Sequence, residues 1–251
     1  MKKFLLNTGI LAATAVGIHK IPRPLKAIML GNLPAYLPST EVLNPSSKLY
    51  GKRIAFLGSS ITYGAAAKGK SFVEYLQTKD GIIPTKSAIS GTTLAGLEPK
   101  TYSSRLRTDF DDQANYDLFV CQLSTNDSRA NKDLGQITPD VQTDGFDRET
   151  TLGAMEDILA YVQAHFRCPV VFYTCMRKPD QDYASLISQL YQLQKKWHFA
   201  IIDLWADPVL HNLIKTSPYF MADDAHPTQM GYKQVWTPIF EVQLTKFLTN
   251  N

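Results

Sequence analysis

Short apolar runs alternate with longer amphipathic stretches along most of the chain. Apolar runs bounded by turn residues are typical of buried strands, and they cover residues 53–57, 85–89, 118–123, 169–174 and 199–204. Amphipathic stretches predict helices, and they cover residues 71–78, 102–111, 148–166, 183–197 and 228–248. Strands that alternate with helices indicate a parallel sheet covered on both faces. We therefore expect an α/β fold, a three-layer α/β/α sandwich on a five-stranded parallel sheet.

The first residues differ from this pattern. Lys2 and Lys3 precede an apolar run over residues 4–18, and residues 13–15, Ala-Thr-Ala, suit a small-residue cleavage site. As a helix the run would span about 22 Å, short of a bilayer core of about 30 Å. We expect residues 1–27 to be a cleaved signal peptide or an N-terminal membrane anchor, with membrane attachment through residues 4–18 and an extracytoplasmic protein. The alternative is a packed N-terminal helix of a cytoplasmic protein.

Residues 28–49 lack sustained periodicity and belong to a proline-rich stretch, which predicts a linker laid over the surface. The remaining residues, 50–251, are expected to form one folded domain. Within it, residues 129–147 are polar and carry Gly and Pro. They form either a rim or lid beside the site or a plain solvent loop.

Composition argues against a disordered chain, a nucleic-acid-binding protein and a fold held by disulfides. The chain has 251 residues, of which 44% are hydrophobic and 20% charged, as in ordinary folded proteins. A formal charge of +3 with no dense basic run gives no footprint for a nucleic acid. Three cysteines cannot all pair, and Cys168 and Cys175 flank one predicted strand, too far apart for a disulfide.

A serine stands at the first strand-to-helix junction. Residues 58–64 read Gly-Ser-Ser-Ile-Thr-Tyr-Gly. The turn would lift the Ser60 hydroxyl out of the sheet, and the N-terminus of the next helix offers backbone N–H groups to an oxyanion. Taken alone, the segment also suits a simple cap and turn.

A histidine lies in a loop ahead of the last helix. Residues 223–227 read Asp-Asp-Ala-His-Pro, and the proline keeps His226 out of helical geometry. Histidine has the pKa that best fits the activation of a serine at neutral pH, and a carboxylate can hold its tautomer. Asp223 is the favoured partner and Asp224 the less favoured one. A metal site here lacks further ligands at recognisable spacing, and the remaining alternative is a solvated acidic loop.

Two more segments follow the second and third predicted strands. Gly91 lies in a Ser-Gly-Thr-Thr turn, where glycine lets the backbone approach a ligand. Asn126 lies in a Ser-Thr-Asn-Asp segment and carries an amide that can donate to developing negative charge. Each segment alone suits an ordinary turn. All four segments nevertheless fall at the carboxyl ends of strands, where ligand sites of parallel sheets collect.

The order of these blocks resembles the SGNH hydrolases, also called the GDSL esterase and lipase superfamily, from Lys52 to the C-terminus. The resemblance implies a flavodoxin-like sheet, no cofactor and no metal, and hydrolysis of acyl esters. It implies that Ser60 is the nucleophile, His226 the base and Asp223 its partner. It also assigns the oxyanion hole to the backbone N–H groups of Ser60 and Gly91 and to the Asn126 side chain.

Two positions depart from the family pattern. Ser59 stands where the family usually has Asp, and Ser124 stands where it usually has Gly. Only Ser60 keeps the family's spacing to Gly58 and Thr62, so it remains the predicted nucleophile. Neither position supplies a reacting group, so we expect the departures to bear on substrate preference and rate more than on reaction type.

The sequence thus predicts a serine ester hydrolase acting on a small-molecule or carbohydrate ester, with short acyl or O-acetyl groups favoured. A lipase-like or lysophospholipase-like hydrolase and an acyltransferase share the acyl-enzyme chemistry and stay open. A carbohydrate-binding module that has lost catalysis is the alternative outside enzymes. Oligomeric state does not follow from the sequence.

Overall fold

The computed structural model describes residues 21–176 and 180–250. The apolar run over residues 4–18 lies outside these residues, so the leader remains a prediction. Within the described ranges, no helix is both long and apolar enough to cross a bilayer.

Five parallel strands form one sheet in the order β2-β1-β3-β4-β5. The strands are β1 (Arg53–Gly58), β2 (Ile83–Ala88), β3 (Leu118–Gln122), β4 (Val170–Tyr173) and β5 (Ala200–Ile202). This order is that of flavodoxin-like sheets. The predicted fold class is therefore confirmed, and β1 and β3 lie side by side at its centre.

Helices connect the strands. They are α1 (Arg23–Gly31), α2 (Ser60–Tyr63), α3 (Phe72–Asp80), α4 (Tyr102–Thr108), α5 (Thr151–Tyr161), α6 (Gln181–Trp197), α7 (Pro208–Leu213), α8 (Gln229–Gly231) and α9 (Thr237–Asn250). Single π-helical turns, Val162–Phe166 and Tyr232–Trp236, extend α5 and join α8 to α9. Helix α2 is the helix expected at the Ser60 junction, whereas sequence patterning missed the short helix α7, because too few residues are present to set a period.

The core lies on both faces of the sheet. On one face α3 packs against α9, and Phe72 stacks on Phe240 with ring centroids 3.8 Å apart. On the other, α4 packs against α5, which also contacts α6. Every residue of β3 is buried, as expected for a central parallel strand. The carboxyl ends of β1 and β3 therefore meet at one fixed edge.

The proline-rich segment over residues 28–49 is more ordered than its composition suggests. The stretch expected to be a featureless tether begins with the end of α1 and continues into two 3-10 helices, Pro34–Tyr36 and Pro38–Thr40. Proline is compatible with all three, since each has Pro in its first turn, where backbone N–H groups need no helical partner. The proposed boundaries at residues 27 and 49 remain predictions.

The polar segment over residues 129–147 is held against the helices behind it. Glu156 is fully buried and accepts the backbone N–H of Thr138 at 2.9 Å and the ammonium of Lys196 at 2.7 Å. Because a buried carboxylate is costly without such partners, these contacts fix the middle of the segment on α5 and α6.

Candidate active site

The predicted nucleophile lies at the first turn after β1. Ser59 is at the N-cap position of α2 and Ser60 is its first residue, so the Ser60 N–H has no carbonyl partner within the helix. A side chain at Gly58 would place its Cβ 1.8 Å from the Thr62 hydroxyl. Glycine at 58 is therefore required for α2 to turn back so closely over the end of the strand.

A buried glutamine at the end of β3 supports this turn. The side-chain oxygen of Gln122 accepts the backbone N–H of Ser59 at 3.0 Å and that of Thr62 at 3.2 Å. Its amide nitrogen donates to the Ser59 hydroxyl at 2.9 Å. Ser59, Thr62 and Gln122 are all fully buried. The Ser59 side chain thus faces the interior, whereas the Ser60 hydroxyl faces the histidine.

The histidine lies on a tight loop closed by backbone pairing. Ala222 N–H donates to the His226 carbonyl at 2.9 Å, and Thr228 N–H donates to the Phe220 carbonyl at 2.9 Å. Between these bonds, one Asp223 oxygen accepts the backbone N–H groups of Ala225 and His226, each at 2.8 Å. The carboxylate therefore shapes the loop as well as contacting the ring.

The three predicted side chains form one hydrogen-bonded chain. Ser60 Oγ lies 2.8 Å from His226 Nε2, and His226 Nδ1 lies 2.8 Å from Asp223 Oδ2. An ionised carboxylate only accepts hydrogen bonds, so Nδ1 carries the proton and Nε2 is left to accept from the serine. His226 pairs with Asp223 rather than Asp224, as the sequence favoured.

Asp223 is kept ionised by its donors. Burial alone would raise its pKa, but the His226 ring and the two backbone N–H groups outweigh burial and lower the pKa of Asp223 to about 2. Its side chain is 48% exposed and that of His226 is 23% exposed. The carboxylate is therefore charged at neutral pH on a partly open surface.

The two other predicted donors lie on loops after β2 and β3. Gly91 has φ +81°, and a Cβ there would meet nothing within 4 Å, so backbone conformation and not crowding favours glycine. Asn126 donates one amide hydrogen to the Thr92 carbonyl at 2.9 Å. Because an amide nitrogen carries two hydrogens, one stays available to a ligand.

A buried arginine links these loops. Arg105 on α4 is 2% exposed, and it donates to the Gly58 carbonyl at 2.8 Å and to the Thr92 hydroxyl at 3.2 Å. It also donates to the Lys100 carbonyl at 2.9 Å. One planar guanidinium thus joins the end of β1, which leads to Ser60, to the turn that holds Gly91.

The family comparison agrees with this arrangement. Residues 56–234 match the model of the GDSL-like Lipase/Acylhydrolase family, a span that includes all the predicted site residues. The chain belongs to this family. The resemblance to SGNH hydrolases is thereby confirmed, and the protein is an esterase-type or lipase-type hydrolase. A search of curated proteins finds no match.

Solved structures share the GDSL fold at low identity. A protein from Lactobacillus plantarum has 18% identity and a TM-score of 0.61, over 80% of this chain and 98% of that one. One from Bacteroides ovatus, described as a GDSL-like lipase, has 14% identity and a TM-score of 0.56, over 80% of this chain and 99% of that one. A family two carbohydrate esterase from Clostridium thermocellum, in complex with cellohexaose, has 13% identity and a TM-score of 0.56, over 80% of this chain and 65% of that one.

The two departures from the GDSL pattern have structural partners. Ser59 is paired with Gln122, as described above. The Ser124 hydroxyl accepts the Asn126 backbone N–H at 3.0 Å, a bond that a glycine could not make. Next to it, Asp127 is buried and accepts the backbone N–H groups of Leu94 and Ala95 at 3.0 and 2.9 Å. The Asn126 loop is therefore tied to the loop that follows Gly91.

Gln122 and Arg105 were missed by sequence reasoning. A polar residue that ends an otherwise apolar strand was the available signal for Gln122. Arg105 gave no signal, because an arginine in an amphipathic helix normally faces water. Among the residues that the structure describes, no group of three or more His, Cys, Asp or Glu is arranged to hold a metal ion.

Two open clefts border the Asn126 and Gly91 loops. One, of about 370 Å³, is lined by Ser90, Gly91, Thr93, Lys100, Ala130 and Lys132, among others. The other, of about 410 Å³, is lined by Asp127, Asn131, Lys132, Leu134, Tyr183 and Leu186, among others. Residues 130–134, at the start of the polar segment, thus contribute walls to both clefts.

Proposed function

We propose that the protein is a serine esterase that removes short acyl groups, such as acetyl, from hydroxyl groups of carbohydrates or small molecules. The observation that carries the proposal is the unbroken chain of hydrogen bonds from Ser60 through His226 to Asp223. Each contact is 2.8 Å, and the proton positions that follow from it are those that a general base needs.

Acylation begins when Ser60 Oγ attacks the ester carbonyl and His226 Nε2 takes its proton. The developing oxyanion accepts hydrogen bonds from the Ser60 and Gly91 N–H groups and from the free amide hydrogen of Asn126. Asp223 stabilises the imidazolium that forms. His226 then returns the proton to the departing alcohol oxygen, the carbon–oxygen ester bond breaks, and the acyl group stays on Ser60.

Deacylation repeats these steps with water in place of the alcohol. Water loses a proton to His226 as it attacks the acyl carbon, and Ser60 Oγ leaves with that proton. The products are a carboxylic acid and the free enzyme. A sugar hydroxyl in place of water would give acyl transfer, so hydrolysis and transfer differ only in the acceptor.

The surroundings support a short acyl group on a larger alcohol. His226 and Asp223 are partly exposed, so a bulky alcohol has room on their side of the nucleophile. The cleft beside Gly91 has Ser, Thr and Lys side chains in its wall, which can form hydrogen bonds with the hydroxyl groups of such an alcohol. A carbohydrate esterase with the same fold is consistent with this substrate class.

The adjacent serines give a matched test of the nucleophile. We expect Ser60→Ala to lower kcat on a short-chain aryl ester by about 10⁴-fold or more and to abolish labelling by a fluorophosphonate. Ser59→Ala, the control, should keep the label on residue 60 because the Ser59 hydroxyl faces Gln122. Wild-type activity in Ser60→Ala, or a label on residue 59, would contradict the proposal.

A substrate panel tests the acyl group and the acceptor separately. Acetyl, butyryl and longer acyl esters, together with acetylated polysaccharides, should rank with acetyl first in kcat/KM. Product analysis with and without an acceptor alcohol distinguishes hydrolysis from transfer. A preference for long-chain acyl esters would instead support a lipase.

A further inference from the structure

Helix α1 presents an apolar side to solvent. Leu25, Ile28 and Met29 are 51%, 38% and 52% exposed, and their spacing puts them on one side of the helix. Leu33, just after the helix, is also exposed. Single exposed apolar residues are common on proteins, but several adjacent ones mark an interaction surface.

The opposite side of α1 is fastened to the domain. Ala27 and Gly31 are buried, and Gly31 lies against Thr228. Asn32 then donates to the Ala66 carbonyl at 2.8 Å and accepts the Gln229 N–H at 2.9 Å. The apolar side is therefore exposed in the folded domain, at a fixed position.

Charge along the chain up to and just beyond α1 has one sign. The first acidic residue of the chain is Glu41, whereas Lys2, Lys3, Lys20, Arg23 and Lys26 all precede it. Lys68 adds a further cation at the end of α1, where it donates to the Asn32 carbonyl at 3.2 Å. Apolar side chains bordered by cations match the boundary between the acyl chains and headgroups of an anionic bilayer.

The chain before α1 points to the same occupant. Four residues separate the apolar run over residues 4–18 from Arg23, so an extended connection spans no more than about 18 Å. If that run enters a bilayer, α1 stays close to its surface.

Two other occupants fit less well. A face of a few side chains is too small to bury the whole run over residues 4–18. A second copy docked through the same face would bring together two helices that each carry Arg23 and Lys26 and no carboxylate, which costs free energy.

We propose that α1 lies on an anionic lipid surface, with Leu25, Ile28 and Met29 in the headgroup boundary. One consequence concerns the loop that carries Asp223 and His226. Gln229, which is bonded to Asn32, is three residues after His226, so His226 lies within about 15 Å of the Asn32 side chain. The enzyme would then act on substrates held close to the membrane.

Fluorescent probes on the full chain test the orientation. A polarity-sensitive nitrobenzoxadiazole group is attached to Leu25→Cys or Met29→Cys, and to Val141→Cys or Val242→Cys as controls on exposed positions elsewhere. The unsubstituted chain corrects for labelling of Cys121, Cys168 and Cys175. With vesicles of phosphatidylcholine and phosphatidylglycerol, we expect a blue shift at positions 25 and 29 and none at 141 and 242.

Each other outcome overturns the proposal. Vesicle-bound protein without a shift at positions 25 and 29 would mean that α1 faces water. A shift at those positions in buffer alone would mean that a second copy or residues 4–18 cover the face. A shift at all four positions would mean unspecific insertion. Hydrolysis of a soluble ester, measured in parallel, should be unchanged in Leu25→Cys, so this test and that of the esterase proposal fail independently.

Discussion

The two halves of the candidate site are built differently. On the nucleophile side, Ser60 follows a strand end whose polar atoms are buried and paired with Gln122 and Arg105. On the base side, Asp223 and His226 lie on a partly exposed loop that is closed by its own backbone bonds. The nucleophile side is therefore fixed by the interior of the domain, whereas the base side is fixed by local turn geometry.

This difference predicts which substitutions lower only the reaction rate and which also lower the free energy of unfolding. A change on the base side removes few buried contacts, so it should lower the rate and leave folding nearly intact. A change behind the nucleophile leaves buried donors without partners, so it should lower the free energy of unfolding as well.

The largest effect is expected on the base side. Asp223→Asn should lower kcat by about 10³-fold to 10⁴-fold, because an amide no longer holds the required tautomer of His226 or stabilises its cation. The melting temperature should fall only slightly, because the side-chain oxygen of asparagine can still accept the backbone N–H groups of Ala225 and His226. Asp224→Asn, one residue away, is the control and should keep wild-type kinetics. Equal losses in the two variants would mean that this role does not belong to Asp223 alone and would contradict the assignment.

Next comes the support of the nucleophile turn. Gln122→Leu leaves the buried N–H groups of Ser59 and Thr62 without an acceptor, which should cost about 2–5 kcal/mol in free energy of unfolding. Chemical denaturation measures the loss. Gln163→Leu, on an exposed position, is the matched control and should change stability by less than about 0.5 kcal/mol. If the free energy of unfolding of Gln122→Leu equalled that of the wild type, the distinction between the two halves of the site would be wrong.

Arg105→Lys should have a smaller effect. The ammonium keeps the charge but cannot reach Gly58, Thr92 and Lys100 together, so stability should fall by about 2 kcal/mol and fluorophosphonate labelling of Ser60 should slow. Arg107→Lys, in the same helix, disturbs a more exposed set of contacts, with Asp157, the Ser103 carbonyl and the Tyr161 ring, and should cost about 1 kcal/mol. Equal effects would mean that Arg105 contributes no more than a surface cation.

The smallest effect is expected on the free energy of unfolding at low pH. The pKa of Asp223 falls from 3.8 to about 2 on folding, so its contribution to stability is complete above about pH 4 and disappears as pH falls towards 2. The stability difference between wild type and Asp223→Asn should therefore be constant from pH 7 to pH 5 and shrink below pH 4. Urea midpoints across this range give the comparison, and a difference that grows in acid would reverse the predicted sign.

Much of the fold could be predicted because its signal is local. The sheet strands and most helices follow from apolar periodicity, with ends that differ by a few residues where turns begin. Helix α1 was hidden because prolines normally indicate irregular chain. The motif residues could be found from their place after strands, and their family is confirmed, whereas their catalytic roles remain predictions.

The supporting residues were beyond reach for a physical reason. Gln122 is 63 residues from Ser59, and Arg105 is 47 residues from Gly58. Contacts of this kind exist only after β1 and β3 have paired and α4 has packed beside them. No local pattern records which buried group will meet which.

The distance along the chain between Ser60 and His226, 166 residues, also affects biosynthesis. A ribosome that has made β1 to β5 has produced the nucleophile without its proton acceptor. On the proposed mechanism, ester cleavage can begin only after the last loop has emerged and docked, so a nascent or truncated polypeptide is expected to be inactive. Turnover would then report on the completion of the whole domain.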